Sequence, residues 1–139
     1  MTRIAETRDI ATCRAIRRTV FVEEQQVPEA DEWDDRDEDA IHLLAWQDDR
    51  PIGTARLLTE ATTGKIGRVA VLAEARGLGV GAALIRAGLD RFRKMPGIAQ
   101  VKLGAQTHAL GFYEKLGFQA RGPVYDDAGI PHRDMYLSL

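Results

Sequence analysis

The chain has 139 residues, 45% of them hydrophobic and 29% charged, which is enough to close one globular core and too mixed for a fibrous or disordered protein. A net charge of -2 gives no electrostatic basis for binding nucleic acid or an anionic membrane, and no apolar run approaches the ~20 residues of a membrane span. The one cysteine, Cys13, excludes an internal disulfide and, with an N-terminus unlike a secretion signal, makes a cytoplasmic protein the expectation.

Residues 3–7 read as a short strand. In residues 9–25, Ile10, Cys13, Ile16 and Val20 recur at helical spacing, which predicts an amphipathic helix with Cys13 on its buried face. An acidic stretch follows: of the seventeen residues 23–39, ten are Asp or Glu, and Arg36 alone opposes them. With Pro28 inside it, this stretch reads as a loop holding one helical turn. It is either a solvated acidic surface or an electrostatic collar for a cationic substrate. Strands are expected at 41–47, 52–59 and 65–71, separated by the turn chemistry of Asp48-Asp49-Arg50-Pro51 and Thr62-Thr63-Gly64. The period then changes. Gly81, Leu84, Ile85, Gly88, Leu89 and Phe92 lie on one face of a helix stopped by Pro96-Gly97. Residues 98–103 form a strand, and Ala109, Phe112, Tyr113 and Leu116 mark a second helix ended by Gly117. Residues 118–124 are extended, Asp126-Asp127-Ala128-Gly129 is a turn, and 132–137 is a last strand. The order predicts one mixed α/β domain over residues 1–139, with helices on the two faces of a sheet.

The glycine-rich turn carries the chemistry. Val69-Ala70-Val71 leads through a loop to Arg76-Gly77-Leu78-Gly79-Val80-Gly81-Ala82 at the start of a helix. Glycines at 77, 79 and 81 remove side chains where a phosphate must approach the backbone. The unpaired N–H groups and dipole of the helix's first turn then favour an anion, and Arg76 adds a forked charged donor. A P-loop would need Gly-Lys-Ser/Thr, and a dinucleotide fold Gly-x-Gly-x-x-Gly followed by an acid; neither is present. A diphosphate-bearing ligand is expected.

Some thirty residues later comes His108-Ala109-Leu110-Gly111-Phe112-Tyr113-Glu114-Lys115-Leu116-Gly117-Phe118. In that order and spacing, the two motifs closely resemble the GNAT superfamily of N-acetyltransferases. Val20-Phe21-Val22-Glu23-Glu24-Gln25, His42-Leu43, Gly104-Ala105-Gln106-Thr107-His108 and Gly129-Ile130-Pro131-His132 are similar to its ElaA-like branch. The resemblance implies a twisted mixed sheet of about six to seven strands flanked by helices, with acetyl-CoA as co-substrate. It places the pantetheine arm along the backbone of Val69, Ala70 and Val71, and the pyrophosphate on Arg76, Gly77, Leu78, Gly79, Val80, Gly81 and Ala82. It further implies a slot where the strand of Val69–Val71 splays from that of residues 98–103. Tyr113 would protonate the leaving thiolate. His108 stands where many members carry Asn, and Phe112 is implied beside the coenzyme, although its place on the helix stripe reads as core.

Transfer to an amine needs the neutral amine. At a lysine-like pKa near 10.4 only about one molecule in 2,500 is neutral at pH 7, so a general base is expected. Glu24 is the catalytic candidate, with His132 and His42 as imidazole alternatives and a water as a third route. Glu24, Gln25, Arg56, Arg68 and His132 are expected to meet the acceptor, the arginines if it carries a carboxylate. A covalent route through Cys13 is disfavoured by its buried face, and no metal is expected from the spacing of His, Cys and Asp. The acceptor would be a small-molecule or peptide amine, and an exposed sheet edge would suit a homodimer. Two rival readings remain: a non-catalytic acyl-CoA sensor, and an acyltransferase like the acyl-homoserine-lactone synthases, suggested by Arg18-Thr19-Val20-Phe21.

Overall fold

Strand β1 (Thr2–Thr7) leads to α1 (Ile10–Arg17), whose first turn is capped by Asp9, its carboxylate accepting the Thr12 N–H at 3.1 Å. The computed structural model describes residues 2–139. The helix expected to run uninterrupted to Gln25 changes character at Arg18. Residues Arg18–Glu24 continue in wider, π-helical turns, closed by the Gln25 N–H donating to the Val20 carbonyl at 3.0 Å. The chain gains a residue there without losing its backbone bonds, and Gln26 then exits through a left-handed conformation at φ 58°. The acidic stretch contains α2 (Glu29–Glu32) and a short 3-10 turn at Asp37–Asp39.

Strands β2 (Ile41–Gln47), β3 (Arg50–Glu60) and β4 (Thr63–Val71) form an antiparallel meander. Helix α3 (Val80–Arg93) crosses over to β5 (Gln100–Gln106), which lies parallel to β4. After α4 (Leu110–Lys115), β6 (Gln119–Asp127) and β7 (Ile130–Ser138) close a hairpin, with β7 inserted beside β5. The seven-stranded order is β1-β2-β3-β4-β5-β7-β6.

Side-chain alternation along the strands divides the core in two. Leu84, Ile85, Leu89 and Phe92 of α3 pack on Leu43, Leu57, Ile66 and Val101 on one face. Cys13, Ile16 and Val20 of α1 cover Leu44 and Ala70 on the other. Gly64 lets α3 come down onto the β4–β5 junction, because a Cβ there would lie 2.7 Å from the Phe92 ring.

The face under α1 is also where the acidic stretch goes, and this corrects its reading as a solvated loop or open collar. Arg17 is 1% exposed and donates to Glu32 at 2.7 Å and Asp37 at 2.8 Å. Arg56, adjacent to His42 across the β2–β3 register, forks onto Asp34 at 2.7 and 2.9 Å and reaches Asp37 at 3.1 Å. Arg14 adds a bond to Asp37 at 2.9 Å, and Arg68 pairs with Glu32 at 3.1 Å. Glu29 pairs with Arg18, and Glu24 with Arg76. Arginines from α1, β3 and β4, distant in sequence, therefore neutralise much of the acidic run. Burial alone would raise the Asp37 carboxyl, but Arg17, Arg14 and Arg56 hold it well below the usual carboxylate range.

Candidate active site

The site begins with a fault in the sheet. Strands β4 and β5 pair only through Thr63, Gly64 and Lys65 against Gln100, Val101 and Lys102. Just beyond, Thr54 pairs with Ala70 but Arg56 with Gly67, so β4 carries an extra residue relative to β3. The bulge falls at Arg68, held at φ 49°. A bulge bends its strand and sharpens the local twist, and here β4 parts from β5 beside a cleft of about 580 Å3 whose lining includes Ile66 and Leu103. Residues 66–69 form one wall of the cleft and 102–104 with Gln106 the other. The backbone of β4 from Gly67 onward pairs with β3 on one side and with no strand on the other.

At one end of this free edge lies the glycine turn. Gly77 and Gly79 sit at φ 82° and 79°, and a Cβ built on either would meet nothing within 4 Å. The space in front of the turn is therefore open, and the left-handed backbone is one that glycine adopts without strain. Gly79 caps α3 with no side-chain hydrogen bond, so the helix's first N–H groups are not taken by a cap. Room, backbone donors and the helix dipole together fit a diphosphate. Phe112 projects over the turn with its ring tip 3.7 Å from a Cβ built on Gly81, and is 42% exposed. Its expected place in the core is thus overturned: from neighbouring positions on α4, Phe112 is turned outward while Tyr113 packs against the core. Leu78 is exposed on the same rim.

Tyr113 turns inward from the same helix. Its ring meets Phe112 and Phe118 edge-to-face, at centroid distances of 5.0 and 6.2 Å, and it lines the cleft. Its hydroxyl has no hydrogen-bond partner among the described residues. Burial pushes that hydroxyl above the ordinary tyrosine value, so it stays protonated at neutral pH.

The remaining residues singled out from the sequence fall into two groups. Gln25, Arg56, Arg68 and His132 line the cleft. The guanidinium groups of Arg56 and Arg68 are, however, already engaged by Asp34, Asp37 and Glu32, so an acceptor carboxylate would compete with them. Glu24 lies outside the cleft lining, and Arg76, the expected phosphate ligand, donates to it with both terminal nitrogens while its Nε donates to the Val71 carbonyl at 3.1 Å. That pairing holds the Glu24 carboxyl below its usual range. His42 is buried with Nε2 on the Asp37 carbonyl at 2.7 Å, and His108 is exposed with Nε2 on the Gln106 side chain at 2.7 Å. The Gln106 amide in turn donates to Gln25 at 3.1 Å, which links the two sides of the cleft mouth. Cys13 is fully buried, and burial pushes its thiol up.

Sequence reasoning missed the wall built by the last hairpin. Tyr125 on β6 donates to Asp134 on β7 at 2.8 Å and stacks on His132 with ring centroids 6.0 Å apart. The signal for it was Gly104 in the middle of β5. A Cβ there would lie 2.5 Å from the Tyr125 hydroxyl, so the ring reaches across β5 at the position that carries no side chain.

A mixed sheet split between its parallel strands, with an open glycine turn and uncapped helix start at one end of the free edge, is the architecture of an acyltransferase fold. The family model of the acetyltransferase (GNAT) domain matches residues 10–139, and the chain belongs to that family of acyltransferases. It is 41% identical over 133 residues, 94% of its own length and 90% of the relative's, to a Bacillus subtilis (strain 168) protein named as an acetyltransferase. To protein ElaA of Escherichia coli (strain K12) it is 37% identical over 124 residues, covering 86% of this chain and 81% of ElaA. The crystal structure of an acyl-CoA N-acyltransferase from Pseudomonas aeruginosa superposes with a TM-score of 0.86 at 31% identity, covering 99% and 98% of the two chains.

Proposed function

We propose that the chain transfers the acetyl group of acetyl-CoA directly to the amine of a small molecule or peptide bound in the β4/β5 cleft. The observation that carries this reading is the unpaired edge of β4, which runs from the open glycine turn to the cleft lined by Tyr113. Bound acetyl-CoA supplies the activated acyl group as a thioester. The backbone of Val69, Ala70 and Val71 offers N–H and C=O groups to the pantetheine amides as an added strand would. The first turn of α3 and Arg76 take the diphosphate, for which Arg76 must exchange the Glu24 carboxylate for phosphate oxygens.

Tyr113 supplies the proton of its unpartnered hydroxyl where a thiolate departs. Because burial raises its pKa, full transfer to a thiolate is uphill. Its contribution is therefore a strong hydrogen bond to the developing charge that matures into protonation as the C–S bond breaks. Free-thiol release from acetyl-CoA across a panel of α- and ε-amines tests this. Turnover by the protein as it stands, and a kcat about 10²–10⁴-fold lower in Tyr113→Phe with coenzyme affinity kept, are expected. No turnover with any amine, together with tight coenzyme binding, would overturn it in favour of a sensor.

A further inference from the structure

We infer that His132 is the general base of the proposed transfer, accepting through Nε2 the proton that the acceptor nitrogen sheds as the new C–N bond forms. The inference rests on the acetyl-transfer reading above and on three observations independent of it.

The first is the tautomer. His132 Nδ1 lies 2.7 Å from the carbonyl oxygen of Ile130, two residues back on the same strand. A carbonyl can only accept, so Nδ1 carries the hydrogen, and in the neutral ring Nε2 holds a lone pair. The second is position. His132 is the histidine among the cleft-lining residues, and its Nε2, on the far side of the ring from the Ile130 bond, makes no hydrogen bond to the described residues. The third is orientation. The Tyr125 ring stacks on the imidazole, at 24° between planes, and is itself clamped by Asp134, which Lys102 approaches at 3.5 Å. A ring held by a backbone acceptor on one edge and a stacked face keeps the remaining nitrogen in one place, as a positioned base requires.

Competing bases are otherwise occupied. Glu24 is paired with Arg76, and His42 and His108 both use Nε2 within the protein. Of the cleft carboxylates, Glu32 is held by Arg17 and Arg68, and Asp134 by Tyr125 and Lys102. Asp31 and Asp127 are exposed at the rim, and a solvated carboxylate is a far weaker base than imidazole. The charged groups around the ring are thus Asp127 on β6, the Asp134–Lys102 pair on β7 and β5, and, across the cleft, Arg56 and Arg68 neutralised by Asp34 and Glu32.

The lone pair of the neutral amine forms the C–N bond while the thioester C–S bond breaks. One nitrogen-bound proton passes to His132 Nε2 and thence to solvent, and the thiolate takes the Tyr113 proton, which solvent replaces.

The test is the pH profile of kcat/KM in His132→Asn, whose side-chain amide can still donate to the Ile130 carbonyl but has no counterpart of Nε2. The unaltered protein should lose activity on the acidic side through two limbs, one from the acceptor amine and one from the enzyme-borne base. His132→Asn should lose the second limb and fall about 10²–10⁴-fold in kcat, with coenzyme affinity and melting temperature retained. Added imidazole should restore part of the rate in His132→Gly. Unchanged rates and profile in His132→Asn would overturn the base assignment alone. Absence of turnover in the unaltered protein with every amine would overturn the acetyl-transfer reading itself.

Discussion

At Asp37 a single carboxylate holds three arginines from two elements, and it is 1% exposed. Removing its charge leaves Arg17 and Arg56 buried with fewer partners, and Arg17 Nη2 and Arg56 Nε already lack one. An uncompensated buried charge costs about 3–5 kcal/mol, so Asp37→Asn should lower the urea midpoint by that equivalent while leaving the spectrum of the folded state intact. Nothing in the acidic run marked Asp37 apart from Asp35 or Glu38. Both neighbours carry the same charge in the same sequence context, yet they stay exposed. What separates them is which carboxylate the 3-10 turn at Asp37–Asp39 directs at Arg17, and that is a contact across 20 residues of chain. The place of Tyr113 on the cleft was readable by contrast, because its motif is local.

The π-helical segment Arg18–Glu24 does two jobs through neighbouring residues. Phe21 and Gln25 line the β4/β5 cleft, while Glu24 holds Arg76 of the glycine turn. On the proposed reading diphosphate and Glu24 compete for one guanidinium, and coenzyme binding should disturb the segment that walls the cleft. Glu24→Gln removes the competing charge without removing Arg76. It should tighten coenzyme binding severalfold in a direct titration, whereas Arg76→Ala should weaken it. Equal affinities in all three proteins would show that the pair plays no part in coenzyme binding. The length of the amphipathic helix was misread for a physical reason. Hydrophobic spacing at Ile10, Cys13, Ile16 and Val20 suits α and π turns alike over so short a run, so the pattern carries no sign of the change at Arg18.

Across the whole molecule, the carboxylates with depressed pKa values set the acid limit of stability. Asp37 and Asp34 are both held low by arginines in the folded state. Their contribution is therefore complete above the unfolded carboxylate value, about 3.9, and is lost as pH falls through their lower folded values. Unfolding free energy should drop steeply below about pH 4. The Asp37→Asn variant should show a shallower drop, measured by urea titration at each pH. A decline of equal steepness in both would place the acid-sensitive groups elsewhere.

The element order, the two-faced packing and the glycine turn followed from the sequence alone, because each is written in spacing of a few residues: the i, i+3, i+4 stripe of α3, the alternation of β2 to β4, and Gly77-Leu78-Gly79 before a helix. The ElaA-like motifs likewise carried the family. Only the tertiary structure decided that much of the acidic run is neutralised by arginines from three other elements, that Glu24 and Arg76 face each other, and that His132, unlike His42 and His108, lines the cleft with Nε2 unbonded among the described residues. Each of those is a meeting of side chains separated by long stretches of chain or by the choice of one ring edge over the other, and neither pattern nor charge count encodes it.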